Sequence, residues 1–213
     1  MENNMIENYS LLDNGLIKQN KIVKNIQEYN KSYVDIRYNS YGEKGSQMAG
    51  IRLGYLIASI GRKPTSVLDV GYGNGDFLKV CSQGIKECYG NDISGYPVPE
   101  GTIFVDNIFE KKYDVICFFD SLEHFEDITF VKDLKCNYIY LSLPWCHYFS
   151  DEWFLNWKHR RIDEHLWHFN QISAEKFFNE MGYELVTFSN VEDIIRNNNE
   201  NYENILTCIF KKK

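Results

Sequence analysis

The residues whose types and spacing can do chemistry begin with a turn. The stretch from Val67 to Phe77 reads VLDVGYGNGDF, in which apolar residues around Asp69 run into Gly71, Gly73 and Gly75 on alternate positions, with Tyr72 between the first two. Where a strand of a parallel sheet ends, glycines let the backbone approach a ligand that a Cβ would push away. The helix that follows then aims its first N–H groups into the same crevice. The dinucleotide fingerprint wants its third glycine three positions after the second. Here it comes two positions after, and Asp76 stands in that place. The spacing argues against NAD and for S-adenosyl-L-methionine.

Other polar residues fall where such a ligand would need them. Asp92, about 20 positions after the turn, closes a strand expected over 86–91, the place from which a carboxylate grips ribose hydroxyls. Asp106 and Asn107 follow a short strand over 102–105, and the apolar run YDVICFF (113–119) ends in Asp120 and the tail SLEH, with His124. In order and spacing this set resembles the class I S-adenosylmethionine-dependent methyltransferases of the small-molecule type, from about Ser66 to Phe210. The resemblance implies that Asp69, Gly71, Tyr72, Gly73, Gly75, Asp92, Ile93, Asp106, Asn107, Ile108 and Asp120 hold the cofactor. Within that set Asp106 would face the adenine amine and Ile108 would cover the ring. A segment before the first strand supplies an Arg near the methionine carboxylate in this family, and Arg37 is the matching type, with Tyr41 close by on the acceptor side.

A second concentration of chemistry is the run PWCHYFSDEWFLNWKHRRIDEHLWHF (144–169), which holds all four tryptophans and four of the five histidines. Aromatic walls with titratable rings at the carboxyl edge of a sheet suit a substrate chamber, with Trp145, His147, Trp157, Arg160 and Arg161 as candidate acceptor contacts. A sulfonium methyl needs no protein nucleophile, but a hydroxyl acceptor gains from a base. His165 and His168 match the family's position before a helix, and His124 is the third candidate base. Arg160 and Arg161 suit an anionic or sugar-phosphate acceptor. Cys146, His147, His159, Asp163 and Glu164 lie close in sequence but show no paired-ligand spacing, so no metal is expected.

These residues require a scaffold that brings strand ends together. The chain has 213 residues, a net charge of -7, a pI near 5.3 and 15% aromatic residues. That size is one domain with a real core. The acidic balance speaks against a nucleic-acid partner, and no stretch is long and apolar enough for a membrane span. The start MENNMIENYS lacks the pattern of a secretory signal, and six cysteines without a CxxC pair read as reduced thiols, together an expectation of a cytoplasmic protein. The expected fold is a single α/β domain with a Rossmann-like, seven-stranded, mostly parallel sheet, antiparallel at its last strand. An N-terminal helical cover (1–62) precedes the cofactor-binding half (66–143) and a substrate-side region with helix and terminal hairpin (144–213). Helices are expected over about 14–30, 46–60, 76–82, 127–134 and 173–181, the last capped by Ser173. Only 93–101 and 107–112 join the second to the third and the third to the fourth strand, too few residues for full crossover helices. The function implied is methyl transfer to a small polar acceptor at oxygen or nitrogen. The alternatives are a binder of the cofactor without turnover and an enzyme using it for other chemistry.

Overall fold

The computed structural model describes residues 3–22, 29–39, 42–196, 198 and 200–213, with the backbone alone described at 3–5 and 37–39. The N-terminal strands β1 (Asn3–Ile6), β2 (Tyr9–Leu11) and β3 (Ile17–Gln19) form an antiparallel meander, followed by helices α1 (Lys31–Asn39) and α2 (Glu43–Ile60). Next come β4 (Ser66–Val70), α3 (Asp76–Ser82), β5 (Glu87–Asn91), β6 (Thr102–Phe104), β7 (Tyr113–Phe119) and β8 (Cys136–Pro144). The C-terminal third contains α4 (Asp151–Asn156), the short strand β9 (Trp167–His168), α5 (Gln171–Glu180), β10 (Tyr183–Ser189), the single turn α6 (Asp193–Arg196) and β11 (Ile205–Lys212).

The main sheet has the order β10-β11-β8-β7-β4-β5-β6, with β11 antiparallel to both its neighbours and the other pairings parallel. Every residue of β4 and β7 is buried, because helices cover both faces of a parallel sheet. Successive residues therefore serve two cores. Leu68, Ile116 and Phe118 pack with Phe177 and Phe178 of α5, while Val67, Val115 and Cys117 pack with Leu56 of α2 and Phe77 and Leu78 of α3. At the amino end of β7 the buried Asp114 accepts from both Arg62 Nη atoms at 2.6 and 2.8 Å, from Thr65 N at 2.8 Å and from Asn137 Nδ2 at 2.9 Å. The Arg62 hydrogen bonds hold this carboxyl well below the usual range, so its burial is offset.

Sequence order reverses between β4 and β7, and such a switch point opens a crevice at the carboxyl ends of the strands. No helix joins β5 to β6 or β6 to β7, as the short connections require.

Three expectations need correction. Within 14–30, the described segment Ile17–Gln19 is a strand, paired with β2 and with β9 (Ile17 opposite His168). Leu16 and Ile17 are adjacent and both buried, one in the main core and the other against Tyr9 and Phe154, which is a strand's two-faced pattern. The helical part of the N-terminal cover is thus α1 and α2. The stretch 127–134 holds only a 3-10 turn, Thr129–Asp133. The cap of α5 is Asn170, whose side chain accepts from Ser173 N at 2.8 Å while Asn170 N donates to Ser173 Oγ at 2.9 Å. Ser173 is therefore the inner member of a capping box. After β10, α6 brings Arg196 to the site described next.

Candidate active site

At the switch point lies a cavity of about 430 Å³, within the range of about 300–1,000 Å³ typical of small-molecule sites. One wall is the turn after β4. Gly71, Gly73 and Gly75 take φ of +80°, +56° and +77°, the left-handed region that glycine enters without strain. A Cβ on Gly71 would stand 2.7 Å from the Cβ of Ser121, and one on Gly75 would stand 2.5 Å from the Pro99 ring. Gly71→Ala should therefore cost about 2 kcal/mol from its left-handed backbone and crowding. Thermal unfolding of the variant against wild type measures it, and an unchanged midpoint would contradict the close approach.

The turn is tied to the next strand by its own backbone. Gly71 N donates to Asn91 O at 2.7 Å and Gly75 N to Tyr72 O at 2.9 Å, while the Tyr72 hydroxyl donates to the Tyr96 carbonyl. Asp92 accepts from Gly73 N on one oxygen at 2.9 Å and from Ser94 N on the other at 2.7 Å. Each carboxylate oxygen has two lone pairs, so this grip leaves acceptor capacity at the cavity, where Asp92 and the neighbouring Ile93 both sit. Asp69, 2% exposed, also lines the wall, and its Oδ1 has no partner among the described residues. Burial pushes this carboxyl up to about 7, against the pull of Arg52.

A second wall is ionic. Arg52 of α2 donates through Nε to Glu192 at 2.7 Å and lies over the Phe119 ring at 4.0 Å. Arg196 of α6 bonds both Glu192, at 2.8 Å, and Asp120. Asp120 itself takes φ +50° at the end of β7, an uncommon conformation for a residue with a side chain. Burial works against both carboxylates, and Arg196 and Arg52 more than offset it, holding Asp120 and Glu192 below their ordinary values. Removing one member of such a network strands a buried charge. Arg52, Glu192 and Arg196 carry no local motif, and sequence reasoning missed them.

A third wall carries imidazoles. His124 sits in the 3-10 turn Leu122–His124, and His165 in the loop before β9. Their ring centroids are 4.8 Å apart, edge to face, and both line the cavity with Tyr29, His159, Arg161 and Glu164. Burial lowers the pKa of His124, and lowers His165 to about 2 with His124 adding to it. Burial thus favours the neutral form of both rings, with a lone pair on one nitrogen of each.

The residues singled out from sequence divide by position. Asp69, Gly71, Tyr72, Gly73, Asp92, Ile93, Asp120, His124, Arg161 and His165 line one cavity. Gly75 and the Asp106–Ile108 segment lie outside that lining. Asp106 is exposed, Asn107 Oδ1 accepts from Phe109 N at 3.0 Å, and Ile108 is packed in the main core. His168 is 3% exposed among Tyr9, Phe154 and Trp157, away from the cavity. Trp145, His147 and Phe149 form a stacked ladder. Trp157 stacks on Trp153 beside a second cavity of about 360 Å³. Arg160 donates to Leu155 O at 3.1 Å and lies over the Tyr9 ring. Tyr41 lies outside the described residues, as does the side chain of Arg37.

A family model described as a methyltransferase domain matches residues 49–187. Among solved structures, magnesium protoporphyrin IX methyltransferase from Synechocystis, with bound SAH, superposes with a TM-score of 0.60 at 15% identity, covering 87% of this chain and 96% of that one. A methyltransferase solved with the Haloferax volcanii Trm112 activator gives 0.61 at 12% identity, covering 88% and 99%. The plantazolicin methyltransferase BpumL, in complex with a triazolic desmethylPZN analogue and SAH, gives 0.53 at 13% identity, covering 86% and 91%. No curated protein sequence matches the chain. Among the described residues, no helix is long and apolar enough to cross a membrane.

Proposed function

The chain belongs to the methyltransferase-domain family and uses S-adenosyl-L-methionine, and from that premise we propose that it methylates a small, polar, hydroxyl-bearing acceptor of sugar-like character. The observation that carries this reading is one cavity with a glycine cradle and Asp92 on one wall and two imidazoles, His124 and His165, on another. The cofactor supplies a methyl on a sulfonium sulfur that departs as a neutral thioether. The chain must supply grip, alignment and exclusion of water.

Each lining residue has a part in that work. The backbone of Gly71 to Gly73 is the surface on which the nucleoside lies, and the spare lone pairs of Asp92 take its ribose hydroxyls. Ile93 is 82% exposed on the rim, an apolar side chain left in water until a planar ring covers it, so we give it the adenine. Asp69, buried and short of a partner, takes the amino end. The Asp106–Ile108 segment supports the fold from outside the lining.

A neutral acceptor is favoured over an anionic one by the pairing of the guanidinium groups. Arg161 is held by Glu164 at 2.8 Å, Arg52 by Glu192 at 2.7 Å, and Arg196 by Asp120 and Glu192. Arg160 is turned to Tyr9. Against these cations the lining sets Asp69, Asp76, Asp92, Asp120 and Glu164. A hydroxylated acceptor can bond to such a wall without disturbing an ion pair.

Calorimetry with SAH followed by incubation with methyl-labelled S-adenosylmethionine and pools of polyols, glycosides and phenols tests this. Label should pass to a hydroxyl of one pool. Binding without transfer to any acceptor supports the alternative of a chain that holds the nucleotide only, and absence of binding removes the reading altogether.

A further inference from the structure

We propose that Glu123, His124 and His165 form a site for a first-row divalent transition ion, opening onto the acceptor side of the cavity. The three side chains each offer a ligand atom, and these atoms lie within 4.8 Å of one another. Ligands about 2.1 Å from one tetrahedral ion stand about 3.4 Å apart, so closing on it draws the most distant pair together by about 1.4 Å or less.

The state of these groups is what calls for an ion. Glu123 is 1% exposed and neither of its carboxylate oxygens has a partner among the described residues; His165 is 5% exposed and its Nδ1 has none. Groups left so, buried within 4.8 Å of one another and without hydrogen bonds, are rare in folded chains and point to something that binds between them. His124 gives a second, independent indication. Its Nδ1 is 2.7 Å from the carbonyl oxygen of Glu164 and 3.0 Å from the Tyr29 hydroxyl; the carbonyl can only accept, so the tautomer that satisfies it has the hydrogen on Nδ1 and the lone pair on Nε2. A backbone carbonyl that fixes the tautomer in this way is the usual second contact of a metal-binding histidine.

The fold also preassembles the set. Glu123 and His124 share one 3-10 turn after β7, and the segment bearing His165 is sewn to that turn by Leu166 N donating to Glu123 O at 2.8 Å. The ligands come from segments about 40 residues apart, which is why no ligand spacing marks them in the sequence. Two imidazoles and one carboxylate suit Zn²⁺, Mn²⁺ or Fe²⁺ better than Mg²⁺ or Ca²⁺, which prefer oxygen. Three protein ligands leave positions open, and His124 and His165 face the cavity.

The consequence, which rests on reading the cavity as a methyl-transfer site, is that the acceptor is a hydroxyl that reaches this ion. The ion makes the hydroxyl more acidic. Its proton passes to solvent, its oxygen forms the new bond to the methyl carbon, and the methyl–sulfur bond breaks with its electron pair staying on sulfur. The histidines then serve as ligands in place of the base role that sequence gave them.

The test uses the full chain stripped with EDTA, then titrated by calorimetry with Zn²⁺ and with Mn²⁺, and separately with SAH. One ion per chain should bind, with a rise in melting temperature, and Glu123→Gln and His165→Ala should each lower that affinity at least 100-fold while still binding SAH. Failure of the wild-type chain to take up either ion while it binds SAH overturns the ion site and leaves the cofactor reading intact. Uptake that neither substitution weakens overturns it equally, by placing the ion elsewhere. Ion binding without SAH binding would keep the site and remove the methyl-transfer reading on which its role rests.

Discussion

At pH 8, Asp69→Asn should melt several degrees higher than the wild-type chain and bind S-adenosylmethionine and SAH at least 30-fold more weakly. Asp69 lies on the interior strand β4 with Oδ1 unpaired among the described residues, and burial raises its carboxyl from 3.8 to about 7. A carboxyl whose folded pKa lies above its unfolded one binds more protons when folded. This group therefore leaves stability untouched below about pH 4, subtracts from it as pH rises towards 7, and subtracts a constant amount above. The full shift corresponds to up to about 4 kcal/mol. Water in the cavity screens part of that, and about 2 kcal/mol corresponds to roughly 4–8 °C in a chain of this size. The uncharged amide removes the penalty, but it also removes the partner we assign to the cofactor's ammonium group. Wild-type affinity should accordingly fall as pH drops through about 7, while that of the variant stays flat. Melting curves at pH 5 and 8, with calorimetry at both, check this. An Asn variant that melts lower at pH 8 would show that Asp69 already has a partner in the free protein, and one that binds as tightly as wild type would show that Asp69 does not hold the ammonium group.

How much of this was legible in the sequence follows from which features are local. β4, the glycine turn and α3 follow one another without interruption in a short segment, and the apolar run of β7 is bounded by polar residues, so their limits could be read residue by residue. The N-terminal meander could not. Its strands are three or four residues long, and adjacent apolar residues such as Leu16 and Ile17 fit a helix as well as a strand until their two cores are known. Within the site, Asp92 was legible because its distance from the turn is set by one helix and one strand. Arg52, Glu192 and Arg196 meet across 140 residues of chain, which no spacing rule spans. The aromatic run promised a chamber, yet most of its rings pack on one another. Trp157 and Phe154 close around His168, and Trp145, His147 and Phe149 stack in a row. Composition marks such a run as apolar without saying whether it faces a void or itself. Ile108 shows the cost of carrying a role over by resemblance, because the short link after β6 turns at Asn107 and sends that side chain into the main core.

Asp92→Ala should abolish measurable binding of SAH, a loss of at least 100-fold, and cost the free protein only about 1–2 kcal/mol. The two expectations differ because the carboxylate serves two sets of donors. In the free protein it accepts from Gly73 N at 2.9 Å and Ser94 N at 2.7 Å, and when it is gone water entering the cavity can reach both N–H groups. In the complex, on the function proposed above, its remaining lone pairs take the ribose hydroxyls. Hydrogen bonds to a charged acceptor are worth about 1.5–3 kcal/mol each, and two of them exceed the roughly 2.7 kcal/mol that a 100-fold change represents. The variant also leaves Gly73 unanchored at φ +56°, so the cradle loosens just where the nucleoside must lie. Asp92→Asn keeps the shape but puts an amide nitrogen where one oxygen was, and should fall between, at about 10-fold weaker. Asp106→Ala separates this geometry from the role that resemblance suggests. Asp106 is exposed and outside the cavity lining, so its loss should change SAH affinity by less than 3-fold. Calorimetry on the three variants decides the matter: an Asp106 effect as large as that of Asp92 would put the adenine over β6, and an unaffected Asp92→Ala would move the nucleoside off the glycine turn entirely.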